Sequence, residues 1–379
     1  MPYRFLSALS LALVALMSIA AAADDLATHS AATATQALAQ PAKIAAYQAR
    51  FGRSRPIIAV VGQNSGMVLS DYVVPYGVLA RSGVAEVFGV STQAGLQKLP
   101  PLQIQPDRTL ADFDRQFPDG ADYVFIPAVD GMEKHTDPAL IAWLKTQADK
   151  GTTLISICNG ALVLAEAGLL KGHRATAHFS TYEMRLKQYP DTQWVKNARY
   201  VVDGKIISSA GISAAMPTSL ALVEAIGGTA RAAALAKQLG VTDWGPAHNS
   251  DAFHIGTRDY MAGIGNTLFH GTQTIGIPVA NGVDEISVAF TANAYSDTLR
   301  SEAHALAQSS TPIKTKAGMT LVPDRVVGQG KPLDSVLPES GDTPPMQVLD
   351  QVLDDITQRY GASTARFVIL DMEYPGNKS

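Results

Sequence analysis

Cysteine is nearly absent from this chain: its 379 residues carry one thiol, Cys158. A single cysteine excludes a disulfide scaffold and a cysteine-rich metal site. Charge is sparse as well, with 17% Asp, Glu, Lys and Arg and a net charge of -4, below the ~25% of average usage. No basic field exists to hold a phosphate backbone, so no nucleic-acid partner is expected. Beyond the N-terminal segment no apolar run is long enough to cross a bilayer. Hydrophobic residues, in contrast, make up 46% of the chain, enough for two buried cores or for one large and one partial core.

The opening "MPYRFLSALSLALVALMSIAAAADD" joins Arg4 to an apolar stretch from Leu6 to Ile19, then to small residues ending at Ala23. It reads as a secretory signal over 1–23, cleaved near Ala23. The mature protein is then expected in the periplasm or outside the cell, with no stable membrane insertion. Thiols in such compartments usually pair. One left without a partner marks either an intermolecular bridge or a free reactive group. Residues 24–50, rich in Ala, Thr and Gln without a strong apolar face, read as a leader segment.

Residues 51–240 alternate apolar runs with helical patterns. The runs are "PIIAVVG" (56–62), "AEVFGVST" (85–92), "DYVFIPAV" (122–129) and "TTLISI" (152–157); among the helices are "SDYVVPYGVLARSG", stopped by Gly83, and "DPALIAWLKTQADKG" (137–151). Strands that are apolar throughout and alternate with helices imply an α/β fold, a doubly wound parallel sheet covered on both faces. Ligands of such sheets bind beyond the carboxyl ends of the strands.

Residues 241–272 read as a loop-like linker, and 273–379 echo the first domain. "LQIQPDRTLADF" (102–113) and "MTLVPDRVVGQG" (319–330) share Pro-Asp-Arg, and the 35 residues from Asp71 to Pro106 match the 36 from Ser287 to Pro323. The pattern implies a truncated, degenerate internal repeat. Ser287 stands where the first copy has Asp71, and the chain closes on the strand-like "ARFVILDMEYPG" with no second cysteine. Such a half-unit is expected to lay its sheet on the first domain, giving a homodimer or an intramolecular pseudo-dimer.

Cys158 directly follows "TTLISI" and precedes the helix former "NGALVLAEAGLL". A residue at this kind of strand-to-helix turn projects over the sheet, and Gly160 and Ala161 let the helix close in behind it. Amide donors and the helix dipole then favour the thiolate. The bland alternative is a buried small apolar residue.

Taken together, "ISICNGALVLAEAGLLKGHRATAHF", "SDYVVPYGVLARSG", "PDRTLADF" and "GKIISSAGISAAMPTSLALVEAIGG" resemble, in order, blocks of the ThiJ/PfpI superfamily of class I glutamine amidotransferase-like proteins. That superfamily includes isocyanide hydratase and the sensor domains of amidase-like AraC-type regulators. The resemblance implies a flavodoxin-like fold with Cys158 as nucleophile and Asp71 as the acidic residue that hydrogen-bonds it, although Asp71 beside Ser70 also suits a helix cap. It further assigns the backbone N–H groups of Asn159 and Val129 to an oxyanion, and marks His178 as an auxiliary candidate whose expected role is packing or hydrogen bonding.

Two positions depart from the family pattern. Ala128 and Val129 replace paired glycines, and Asn159 stands where protease-like members carry histidine, so no adjacent Cys-His pair exists. His248, His254 and His270 read as solvated loop histidines rather than metal ligands, and "GQNSGM" (62–67) lacks the lysine of a phosphate loop. The expectation is a cofactor-free and metal-free hydrolase or hydratase acting on a small electrophilic carbon substrate. The alternative is a non-catalytic module that binds a small ligand or senses oxidant.

Overall fold

In the computed structural model, which describes residues 43–131 and 135–376, the four apolar runs become neighbours in one sheet. They are β1 (Ile57–Gly62), β2 (Glu86–Ser91), β6 (Tyr123–Ile126) and β7 (Thr153–Ser156); the short β3 (Gln97–Leu99), β4 (Leu102–Gln105) and β5 (Arg108–Thr109) lie between. The signal-like run 1–23 and most of the 24–50 leader fall outside the described residues.

Helices α1 (Leu69–Ser82), α2 (Leu110–Gln116), α3 (Pro138–Asp149) and α4 (Gly160–Glu166) link these strands. After β8 (Arg174–Ala175), α5 (Tyr182–Gln188) and β9 (Gln193–Trp194), the hairpin of β10 (Tyr200–Asp203) and β11 (Ile206–Ser209) completes the sheet, followed by α6 (Ala215–Gly227) and α7 (Thr229–Leu239). The order is β10-β11-β7-β6-β1-β2-β5, parallel except for the β10–β11 pair. This is a flavodoxin-like, doubly wound arrangement.

The unbroken apolar character of the strands follows from burial on both faces. Ile58, Val60, Phe125 and Ile155 point into one core with α1 and α6, while Ile57, Val61, Val124 and Leu154 point into the other with α2, α3 and α4. Successive strand side chains face opposite ways, so both sets must be apolar when both faces are covered.

A second body follows: α8 (Thr257–Phe269), β12 (Gln273–Pro278), α9 (Glu285–Asp297), β13 (Ser301–Ala307), β14 (Ile313–Lys314), β15 (Thr320–Leu321), β16 (Arg325–Val326), β17 (Ser335–Val336), α10 (Pro345–Tyr360) and α11 (Ala362–Asp371). Its parallel sheet runs β16-β13-β12-β17, the order of β5-β2-β1-β6 in the larger sheet. Both Pro-Asp-Arg segments do the same work. Asp107 accepts the Gly89 N–H of β2 at 2.7 Å, and Asp324 accepts the Ala305 N–H of β13 at 2.7 Å.

Three expectations need correction here. The linker 241–272 contains α8, which packs on α11. The strand-like terminus is α11, whose buried Thr364, Ala365 and Val368 lie on one helical face; tertiary packing overrides the local β preference of Val368 and Ile369. Finally, the two bodies meet through helices rather than sheet faces. Every residue of α9 from Glu285 to Ser296 is buried, because α1 packs on one side and α10 on another. Gly77 makes the close crossing feasible, since a Cβ there would sit 2.8 Å from Ile286 Cγ1. At the crossing Arg81 pairs with Asp284 at 2.6 Å and also with Glu285, and β15 joins β4 in an antiparallel strip.

Candidate active site

At the carboxyl end of β7, Ile157 donates to Ile126 O at 3.0 Å and holds the chain against β6. The next residue, Cys158, has φ +53°. This left-handed conformation is uncommon for a residue with a side chain and costs of order 1–3 kcal/mol. Gly160 then donates to Ile157 O at 2.8 Å and begins α4. A Cβ at Gly160 would lie 2.0 Å from Ile126 O, so only glycine lets the helix start this close to the strand. The result is a sharp elbow with the sulfur on the α1 side of the sheet.

Around the sulfur the chemistry is acidic. The Asn159 N–H donates to Cys158 and favours its ionised form. Asp71, fully buried on α1, accepts the Ala128 N–H through Oδ2 at 3.1 Å, while its Oδ1 has no partner among the described residues. Asp71 is therefore not the cap of its helix, whose N-cap position is held by Val68. Burial raises its carboxyl from 3.8 to about 7, against the pull of the Ala128 N–H and with a further push from the charge of Asp371.

The sulfur does not follow the expectation of an acidic thiol set by amide donors. Burial, with Cys158 only 5% exposed, pushes the thiol well above its usual value. The carboxylate of Asp71 adds to this, followed by Glu373 and Asp371, and the Asn159 N–H opposes only part of it. An ionised Asp71 opposes a thiolate at Cys158 on top of the burial, so the thiol keeps its proton through neutral pH.

The remaining candidates divide. Val129 forms an antiparallel bridge with Met67, and its N–H is unused among the described residues. His178 does not reach for the thiol. Its Nε2 donates to Asp371 O at 3.0 Å and its Nδ1 accepts from Ser180 at 2.7 Å, a hydrogen-bonding role that ties the C-terminal strap to the elbow. His254 and His270 are exposed. His248 is not a solvated loop histidine: its side chain is 5% exposed, donates to Glu373 Oε1 at 2.8 Å and stacks on Phe253.

Sequence reasoning missed Glu373 and Arg185. Buried Glu373 Oε2 accepts from Gly211 N at 2.8 Å and Phe179 N at 3.2 Å, from a backbone with φ +48°. Arg185 is buried under Trp194 and donates to His178 O at 2.6 Å; burial lowers it to about 10. An acid in the tail and an arginine in a short amphipathic helix leave no spacing signal. Replacing Glu373 by Ala is expected to cost about 3–5 kcal/mol, because three buried donors lose one acceptor. It is also expected to speed alkylation of Cys158, since a charge opposing the thiolate disappears. Urea midpoints and iodoacetamide rates measure both effects.

Against protein families, residues 58–225 match the DJ-1/PfpI family. Among curated proteins, the HTH-type transcriptional regulator CdhR of Pseudomonas aeruginosa is 32% identical over 137 residues, 36% of this chain and 40% of that protein. Isonitrile hydratase of Pseudomonas putida is 29% identical over 186 residues, 48% of this chain and 76% of that protein. The crystal structure of Drosophila melanogaster DJ-1beta aligns with 50% of this chain and 100% of its own, at 25% identity and a TM-score of 0.44.

Proposed function

We propose, from the match of residues 58–225 to the DJ-1/PfpI family, that the chain is a cofactor-free, cysteine-dependent enzyme that adds water to a small electrophilic carbon, an isonitrile first among the candidates. One observation carries this reading: the unpartnered, buried Oδ1 of Asp71 in electrostatic contact with a thiol held on a strained elbow. A carboxyl that titrates at about 7 is matched to proton transfer at neutral pH.

In this reading Asp71 Oδ1 removes the Cys158 proton as sulfur bonds to the terminal isonitrile carbon, and returns it to that carbon. Water then adds to the carbon–nitrogen double bond. Breaking the C–S bond regenerates the thiol and releases an N-substituted formamide, so isonitrile plus water balances the product. The Val129 N–H is the donor available to developing negative charge. Similarity to a hydratase over 76% of its length supports this direction.

Oxidant sensing fits less well, because readily oxidised thiols are exposed and acidic whereas Cys158 is buried and its thiol is pushed up. The N-terminal signal-like run supports export to the periplasm or beyond. The matching strand orders and the paired Pro-Asp-Arg contacts support the second body as a degenerate copy that takes the place of a subunit partner.

The test is turnover of alkyl isonitriles and 2-oxoaldehydes, followed by NMR of the products. Wild type is expected to release formamide, and Cys158→Ala to release none. Ligand-dependent melting shifts without any product would favour a binding module and sink the enzymatic reading.

A further inference from the structure

A second site lies in the other body, where the Cys158 chemistry has no part. Between β12, β17, α9 and α10 is a cavity of about 220 Å³. That exceeds the ~150 Å³ cavity that admits benzene in an engineered protein. Its walls include Ile277, Val288, Leu337 and Val352, with the hydroxyl residues Ser287 and Thr291 among them.

Ser287 is 1% exposed, and its Oγ has no partner among the described residues. Buried hydroxyls are normally satisfied, so an orphan on a residue that lines the cavity is a vacant hydrogen-bond site in its wall. Thr291 is already engaged, donating to Ser287 O at 2.8 Å. The charged groups are also spoken for: Asp355 accepts from Tyr295 and from Arg359. At the mouth stands exposed Glu339, which disfavours anions.

Topology sets this end of the small sheet apart from the large one. In the large sheet, Val60 of β1 is level with Phe125 of β6, and Pro127 follows two residues later. In the small sheet, Gly276 of β12 is level with Val336 of β17, and Pro338 follows two residues later. Beyond β6 comes β7, which delivers the Cys158 elbow; β17 is an edge strand with nothing beyond it in its sheet. The small sheet therefore has no strand beyond β17 to deliver an elbow there.

We infer that this cavity binds a small uncharged molecule with an apolar body and one hydroxyl or amide group, which hydrogen-bonds Ser287 Oγ. Its occupancy is independent of Cys158. The full chain is titrated with benzyl alcohol and benzamide, with toluene and benzoate as comparisons, using ligand-observed NMR and calorimetry. Wild type should bind the two polar probes saturably and more tightly than toluene or benzoate. Ser287→Ala should weaken benzamide about tenfold, Ser287→Leu should abolish binding by filling the space, and Cys158→Ala should leave it unchanged. Circular dichroism checks that each variant folds, and Ser287→Ala decides if the leucine variant does not. The inference is overturned by absence of saturable binding, by equal affinity in wild type and Ser287→Ala, by benzoate binding as tightly as benzamide, or by loss of binding in Cys158→Ala.

Discussion

Replacing Asp71 with Asn is expected to stabilise the protein at pH 8 by up to about 4 kcal/mol while removing the proposed hydration activity. The folded-state carboxyl titrates at about 7 rather than 3.8, and each unit is worth about 1.4 kcal/mol. Between these values the folded chain binds more protons than the unfolded chain. Stability therefore falls as pH rises from about 4 to about 7 and levels off above. Asn carries no such penalty: its amide oxygen can accept from Ala128 while its NH₂ replaces the orphan Oδ1. Urea midpoints of wild type and variant should differ little at pH 4 and most at pH 8; an equal difference at both would mean that Asp71 ionises normally. Turnover by wild type should rise through pH 7 as the base form appears, and the variant should lose about 100- to 10,000-fold.

Much of the larger sheet was legible because its physics is local. Parallel strands buried on both faces read as plain apolar runs, and Gly83 marks the end of α1 by taking a left-handed C-cap. The elbow was legible for the same reason: a strand ending at Ile157 and a glycine at 160 leave little room for any other turn. What stayed hidden depends on distance along the chain. Glu373 meets Gly211 across 162 residues, and nothing in "DMEYPG" announces that meeting. The same carboxylate accepts from His248, which its Gly- and Asn-rich surroundings disguise as a solvated loop residue. The basicity of Cys158 was misjudged because amide donors can be read from sequence order, whereas the desolvation that outweighs them comes from elements packed by the fold.

The elbow and the second body answer to different constraints, and one pair of substitutions separates them. Gly160→Ala is expected to be among the most damaging single-methyl additions in the chain. Its Cβ would meet Ile126 O at 2.0 Å and Pro127 C at 3.0 Å, backbone atoms that cannot rotate away. Ile126 O is also the acceptor for Ile157 N, so moving it loosens the join between β6 and β7. Either α4 retreats, carrying Asn159 and the sulfur with it, or the strand shifts; overpacking of this kind costs about 1–3 kcal/mol and at times more. Gly265→Ala in α8 should do the reverse. It has no atom within 4 Å of the added methyl and no positive φ, so Ala should stabilise by about 0.5–1 kcal/mol through helix propensity. Thermal melts of the two variants should move in opposite directions, and only Gly160→Ala should also abolish turnover. If Gly160→Ala melted with wild type and kept the proposed activity in full, the close approach of α4 to β6 would be disproved, and with it the geometry that holds the Cys158 elbow.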